Sequence, residues 1–280
     1  MTQSTPQESS RHEGETSATE LEARWAEYLG QWAIPEEYLA QVQESPFRLS
    51  PEAFAPDLSR RETPSMQFAI EALSELAPGD RSLLDVGCAS GGTSLILFPP
   101  AERLIAIDQS AEMLEQLIKN AAALGVEASA IQVVNSAWPT DPLPRASVVT
   151  CANVLYNVAS PLRFIQGLID AADHAVVIEI TARHPHYSAN PIWWHFYHYQ
   201  RPVEPGYEMV AEILKHLGYQ PTISKWQRDA LDPNDDLALA RLAQRCCIPP
   251  SRLAELKSYL EQNPLLPTEV VSMAFRKSGG

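Results

Sequence analysis

The chain has 280 residues, 45% of them hydrophobic, enough for one large domain with an appendage and a buried core that needs no staples. Its 21 Lys plus Arg against 35 Asp plus Glu leave a formal charge of −14, which argues against a long nucleic-acid footprint. Cysteines stand at 88, 151, 246 and 247 with no CxxC pair, so reduced thiols in a cytoplasmic protein are expected. The start, MTQSTPQESSRHEGETSATE, has no apolar h-region and reads as a disordered tail over 1–20. No apolar run approaches the ~18 residues of a membrane span, so no membrane partner is expected.

In chain order, the folded part begins at LEARWAEYLGQW, where Leu21, Trp25, Tyr28 and Trp32 recur at helical spacing. A short helix starts at Pro35 in IPEEYLAQVQ. ESPFRLSPEAFAPD is a Pro-punctuated loop, and residues 21–62 together read as an N-terminal helical cap. TPSMQFAIEALSELAPGD is an amphipathic helix stopped by Pro-Gly.

From here strands and helices alternate. RSLLDVG is a strand, and GGTSLILF begins a helix that Pro99–Pro100 cuts short. RLIAID is a strand, followed by SAEMLEQLIKNAAALG, a helix with Ser110 as N-cap and Gly125 past its end. SAIQVVN, ASVVTCAN and AVVIEIT are further strands, with the helix PLRFIQGLIDAA before the last of them. GYEMVAEILKHLG is a helix, and YQPTISKWQ and VVSMAFRK are strands. Between those two strands lie two helices parted by Pro249–Pro250. Strands apolar on both faces and alternating with helices imply a parallel sheet covered on both sides.

SLLDVGCASGGTS places an acid and then a turn nearly free of side chains at the end of the first strand. In a doubly wound sheet the ligand sits beyond the strands' carboxyl ends, against this turn. A dinucleotide fingerprint would want glycines at 87, 89 and 92, yet position 89 is alanine. Asp85 would face a pyrophosphate with like charge and suits a cationic ligand instead. No Lys follows the glycines, so this is not a Walker loop.

DVGCASGG resembles the first motif of class I S-adenosylmethionine-dependent methyltransferases, acid-x-Gly-x-Gly-x-Gly: Asp85, Gly87 and Gly91 match, and Ala89 departs from it. IAIDQSAEML puts Asp108 at the second strand's end, about twenty residues on, where an acid can take both ribose hydroxyls; the competing reading is a helix-capping carboxylate. The third strand ends in NSAW, where the family has an adenine-contacting pair. VVTCANVLYNV is similar to the family's fourth-strand stretch, with Ser147 in place of the usual acid. The resemblance covers about 75–185 well. VLYNV and EITARHP resemble a branch of bacterial methyltransferases acting on small molecules, which names no substrate.

The resemblance implies an α/β fold: a doubly wound, mostly parallel seven-stranded sheet with helices on both faces and an antiparallel last strand, spanning 63–280. A lid-like insert at 183–205 and a helical insert at 229–267 interrupt it. It implies S-adenosylmethionine as cofactor and S-adenosylhomocysteine as product. The cofactor set it implies is Asp85, Gly87, Cys88, Ala89 and Gly91 from the turn; Asp108, Gln109 and Met113 after the second strand; Asn135, Ser136, Ala137 and Trp138; and Ala152 and Asn153. Trp138 also reads as core.

The acceptor side falls to TARHPHYSANPIWWHFYHYQRP, which holds four of the seven histidines, a Trp pair and three tyrosines. Read functionally, it is a wall stacking the acceptor, with His184 or His195 as general base and His186, Trp194 and His198 lining the pocket. Read structurally, its aromatics pack on the N-terminal cap. Tyr156 and Asn157, just past the fourth strand, could orient an acceptor atom, Tyr156 also counting as a catalytic candidate; the alternative is a tyrosine packed under the following helix. His184-x-His186 and His195-x-x-His198 invite a metal, but no HExxH or Cys/His quartet supports one, so no metal is expected. The function expected is methyl transfer by in-line displacement to O, N or C of a small molecule, in a monomer or homodimer. The alternative is a cofactor-binding but silent member acting as sensor or partner subunit; Asp85 and Ala89 disfavour a nicotinamide oxidoreductase.

Overall fold

The computed structural model describes residues 16–277. Of the tail expected over 1–20, residues 1–15 lie outside the described residues, and the rest corrects the boundary. Ser17 caps helix α1 (Ala18–Gly30): its hydroxyl takes the Glu20 N–H while the Glu20 carboxylate returns to the Ser17 N–H. SATE, which looks like polar tail, is a capping box.

The sheet holds β1 (Ser82–Val86), β2 (Arg103–Asp108), β3 (Ile131–Asn135), β4 (Ala146–Ala152), β5 (Ala172–Thr181), β6 (Thr222–Arg228) and β7 (Thr268–Arg276) in the order β3-β2-β1-β4-β5-β7-β6. Pairings from β3 to β5 are parallel, and β7 runs antiparallel to both neighbours. This is the expected seven-stranded sheet with its reversed last strand. The order turns at β1 and β4, so a crevice opens beyond their carboxyl ends.

One face of the sheet buries α1, α5 (Pro161–Ala171) and α7 (Tyr207–His216), with Leu21, Trp25, Ile165, Leu168 and Ile213 fully enclosed. The other packs on α3 (Pro64–Ser74) and α4 (Ala111–Ala123). The helix expected at GGTSLILF does not form. A single 3₁₀ turn over Leu95–Leu97 replaces it, because Pro99 and Pro100 have no N–H to return to the carbonyls of a continuing helix. Arg61 caps the break, donating to the carbonyls of Ile96 and Pro99.

A third hydrophobic cluster stands apart from the sheet. It unites α2 (Glu36–Leu39), α6 (Asn190–Tyr197), α8 (Asp236–Arg245) and α9 (Leu253–Gln262) around Trp193, Leu239, Cys246, Cys247 and Leu256. The cap at 21–62 is therefore not one unit: α1 belongs to the sheet's helical layer and α2 to this small helical body. The two inserts share that same body. Arg201 joins it to the rest, its guanidinium 5.1 Å from the Trp32 ring centre and 4.9 Å from that of Trp193, with its Nη atoms on the Trp32 and Ala33 carbonyls.

Candidate functional site

Asp85 is 1% exposed in the sheet interior. Its Oδ1 accepts from Thr150 Oγ1 at 2.8 Å across the β1–β4 pairing, while Oδ2 is buried with no partner. Burial raises its pKa to about 6 against the lowering pull of Thr150 and the nearby Ser94 hydroxyl, with the Asp108 charge adding to the rise and Arg60 weakly opposing it. A carboxylate with one unused buried oxygen is costly unless a cationic ligand or a proton completes it.

The turn after β1 is held by its own backbone. Gly87 N–H and Cys88 N–H both donate to the Ile107 carbonyl of β2. Gly87 has φ +71°, and a Cβ there would sit 2.3 Å from Val154 Cγ2, so only glycine fits. Ala89 adopts φ +45° and places its N–H on Asp108 Oδ2 at 2.9 Å. Asp108 Oδ1 meanwhile takes the Ser110 N–H at 2.9 Å. Asp108 thus closes the turn leading into α4, and, half-buried, it faces the glycine turn with lone pairs to spare.

The third-strand end is tied to the same point, Asn135 Nδ2 and the Ser136 N–H both donating to the Asp108 carbonyl. Ala137 and Gln109 are exposed, while Met113 and Cys88 are buried. Trp138 departs from the expected cofactor set. Its indole N–H donates to the Phe164 carbonyl at 3.1 Å and its ring lies against Gly167, so it packs on α5. At the end of β4, Ala152 and Asn153 are half-buried; Asn153 takes φ +59° and gives its N–H to the Glu179 carbonyl.

What covers the turn is the loop at 44–57. Ser90 Oγ donates to the Pro51 carbonyl at 2.6 Å, and a Cβ on Gly92 would meet the Phe54 carbonyl oxygen at 2.5 Å. Gly92→Ala is therefore expected to push residues 50–55 off the turn and cost about 1–3 kcal/mol. Hydrogen exchange at 50–55 checks this; unchanged protection there would show that the backbone contact holds nothing in place.

The expected acceptor residues are mostly engaged elsewhere. Tyr156 is buried, donates its OH to the Thr181 carbonyl at 2.8 Å and stacks on Trp25, and burial pushes its pKa up; it is core, not a base. His184 is sandwiched on Trp32 with ring centres 3.9 Å apart, and burial, with His186 and Arg201 nearby, lowers its pKa to about 3. It is a neutral packing group. His195 is exposed, stacked on Tyr259 of α9 and 3.8 Å from Glu255. His198 is the left-handed C-cap of α6, and exposed Trp194 sits edge-on to it. Asn157 is exposed. A cleft of about 910 Å³ runs past His184, Tyr187, Trp194, Arg201, Tyr259 and Leu266, and no residue of the glycine turn lines it. Among the described residues no group of three His, Cys, Asp or Glu could hold a metal ion.

Glu179 was not singled out from the sequence. It is 1% exposed on β5; Oε1 takes Arg60 Nη2 at 2.8 Å and Oε2 is buried without a partner. The signal was present: it is the one acid in the otherwise apolar run AVVIEI.

Sheet order, reversed β7 and an acid–glycine turn at the first crossover define a Rossmann-like methyltransferase architecture. A family model described as "Methyltransferase domain" matches residues 58–220, more than half of the chain, and the chain belongs to that family. Among solved structures it is similar to the YcgJ protein from Bacillus subtilis (15% identity, 76% of this chain and 100% of that one, TM-score 0.53). It is also similar to a SAM-dependent methyltransferase from Thiobacillus denitrificans in complex with S-adenosyl-L-homocysteine (17% identity, 87% and 99%, TM-score 0.53). A Geobacter sulfurreducens SAM-dependent methyltransferase, likewise with S-adenosyl-L-homocysteine, matches at 15% identity over 88% and 100%, TM-score 0.50. No curated protein matches the chain. Among the described residues no helix is long and apolar enough to cross a membrane.

Proposed function

We propose that this protein binds S-adenosylmethionine over the carboxyl ends of β1 and β2 and moves its methyl group to an O, N or C atom of a small-molecule acceptor. The observation that carries this reading is Asp85, a buried carboxylate with one oxygen unsatisfied beside a turn that admits no side chain at Gly87. That combination suits a ligand carrying positive charge and no phosphate. Bound there, the cofactor would supply an already activated methyl group. Asp85 would favour its positive end, Asp108 its ribose hydroxyls, and Asn135 or Ser136 its base.

The chain's further task is to hold the acceptor in line and away from water. Residues 50–55 over the turn and the helical body beyond β5 and β6 supply the enclosure that supports a small acceptor. Of the expected bases, Tyr156 is spent on Thr181, His184 with a pKa of about 3 takes protons poorly at neutral pH, and exposed His195 lies against Tyr259 of α9. We therefore read the chemistry as positioning, with an acceptor atom that is already nucleophilic. The four cysteines are free and buried, which agrees with a cytoplasmic setting.

The experiment is calorimetry with S-adenosylmethionine, S-adenosylhomocysteine and NAD. The first two are expected to bind and NAD is not; NAD binding without either of the others would overturn the reading.

A further inference from the structure

Three separate segments bring arginines to the carboxyl edge of the sheet, and a fourth brings His186. Arg60 comes from the 3₁₀ turn at Leu58–Glu62 and pairs with Glu179. Arg228 ends β6 on the same sheet face as Glu179: Glu179 is opposite Ser272, Ser272 is opposite Ser224, and Arg228 lies two alternations further along. Arg241 and Arg245 stand one turn apart on α8, hence on one side of it. That side is tied to the cofactor end. Arg241 Nη2 donates to Ser50 Oγ at 3.1 Å, and the next residue, Pro51, takes the Ser90 hydroxyl of the glycine turn.

The groups sense one another. Arg228 is held below the ordinary arginine pKa by burial and by the Arg60 and Arg245 charges, with Glu179 pulling the other way. Burial, then Arg241, depresses Arg245. His186, the fourth segment's contribution, is lowered to about 4 by burial and by Arg245 and Arg201. Both Arg228 and Arg245 keep solvent-accessible side chains at this edge. Among the described residues neither guanidinium makes a hydrogen bond or an ion pair, and Glu179 is the one carboxylate bonded to any of the four arginines. In a chain of formal charge −14 such a concentration of cations runs against the general balance and makes a local field that attracts anions.

We infer that Arg228 and Arg245, with Arg60 and Arg241 beside them, hold an anionic oxygen group of the methyl acceptor, a carboxylate or a phosphate. The inference rests on the methyltransferase reading and narrows its substrate class to acidic small molecules. Guanidinium forks match either anion in two-point hydrogen bonds, and an acceptor anchored there would lie between the cofactor end and the helical body.

The test titrates the whole protein, saturated with S-adenosylhomocysteine, with succinate and with inorganic phosphate. Saturable binding of at least one is expected, and the tighter of the two identifies the anion. Arg228→Gln and Arg245→Gln should each weaken that anion about tenfold or more while S-adenosylhomocysteine affinity stays within about threefold. Arg163→Gln, an exposed arginine on α5, should change neither. Melting curves establish that each variant folds, and either variant alone suffices. No saturable binding of either anion, or undiminished binding by both variants, overturns the inference. So does a loss of more than about tenfold in S-adenosylhomocysteine affinity, which would reassign these arginines to the cofactor's own carboxylate. Wild type that binds no S-adenosylhomocysteine defeats the methyltransferase reading instead, and the anion titrations of the unliganded protein then judge the arginines by themselves.

Discussion

Asp108→Ala is expected to weaken S-adenosylhomocysteine binding by about thirty- to several-hundred-fold, or about 2–4 kcal/mol. Two effects combine. The variant removes the charge-assisted acceptor proposed for the ribose hydroxyls. It also frees the Ala89 N–H, now held at 2.9 Å, so that a turn residue at φ +45° loses its anchor before any ligand arrives. Losing the Ser110 N–H as well should lower the melting point by a few degrees, because Ser110 still caps α4 through Met113. Asp108→Asn keeps one carbonyl oxygen and should fall between wild type and alanine. Calorimetry alongside a thermal melt separates the effects: unchanged affinity with a lower melting point would make Asp108 a purely structural residue.

The second large effect is expected at Asp85, with stability and binding moving in opposite directions. Its pKa in the fold is about 6 against an ordinary 3.8. Between those values the native state keeps a proton that the unfolded chain has released. Stability therefore falls as pH rises through that window, by about 3 kcal/mol in all. Asp85→Asn cannot ionise; it retains an oxygen for Thr150 and should unfold at higher urea concentration at pH 7 than wild type. The same change should weaken S-adenosylmethionine by more than about tenfold, since the buried counter-charge is gone. In wild type, binding should tighten as pH rises through about 6 and should release protons below it, visible in buffers of different ionisation enthalpy. A variant that is less stable than wild type yet binds normally would show that Asp85 serves the fold alone.

Local signals carried much of this architecture. The central strands β1, β2, β4 and β5 are mainly apolar, and Ser110 and Gly125 mark the ends of α4 as the sequence indicates. Asp85 and Asp108 stand out because an acid at a strand end is chemically anomalous. The errors have physical causes too. GGTSLILF has helical composition, but two prolines beyond it withhold the closing hydrogen bonds. SATE looks like tail until its reciprocal bonds are seen. The helical body was illegible because its three parts are far apart in sequence and bury one another's apolar faces only in space. The same reason explains the histidines and tryptophans of 183–202. Their chemistry suggests a pocket, and His184, Tyr187 and Trp194 do line a cleft, while Trp193 is 2% exposed in the helical body and His184 lies flat on Trp32. The arginine group follows no sequence motif, since its members lie on three elements and are brought to one edge only by the topology.

The position of β7 between β5 and β6 has a consequence for how the protein is made. Among the described residues β6 has β7 as its one neighbour in the sheet, so Thr222–Arg228 lacks that partner while the ribosome is still adding the residues that follow it. β5 likewise keeps one open side until then. At about 5–20 residues per second, the nascent chain carries these unpaired edges for seconds before Thr268–Arg276 can slide between them. A ribosome that stalls in this interval leaves a product able to fill the gap with a strand from another chain. Translation speed between residues 228 and 268 thus sets how long these two strand edges stay open.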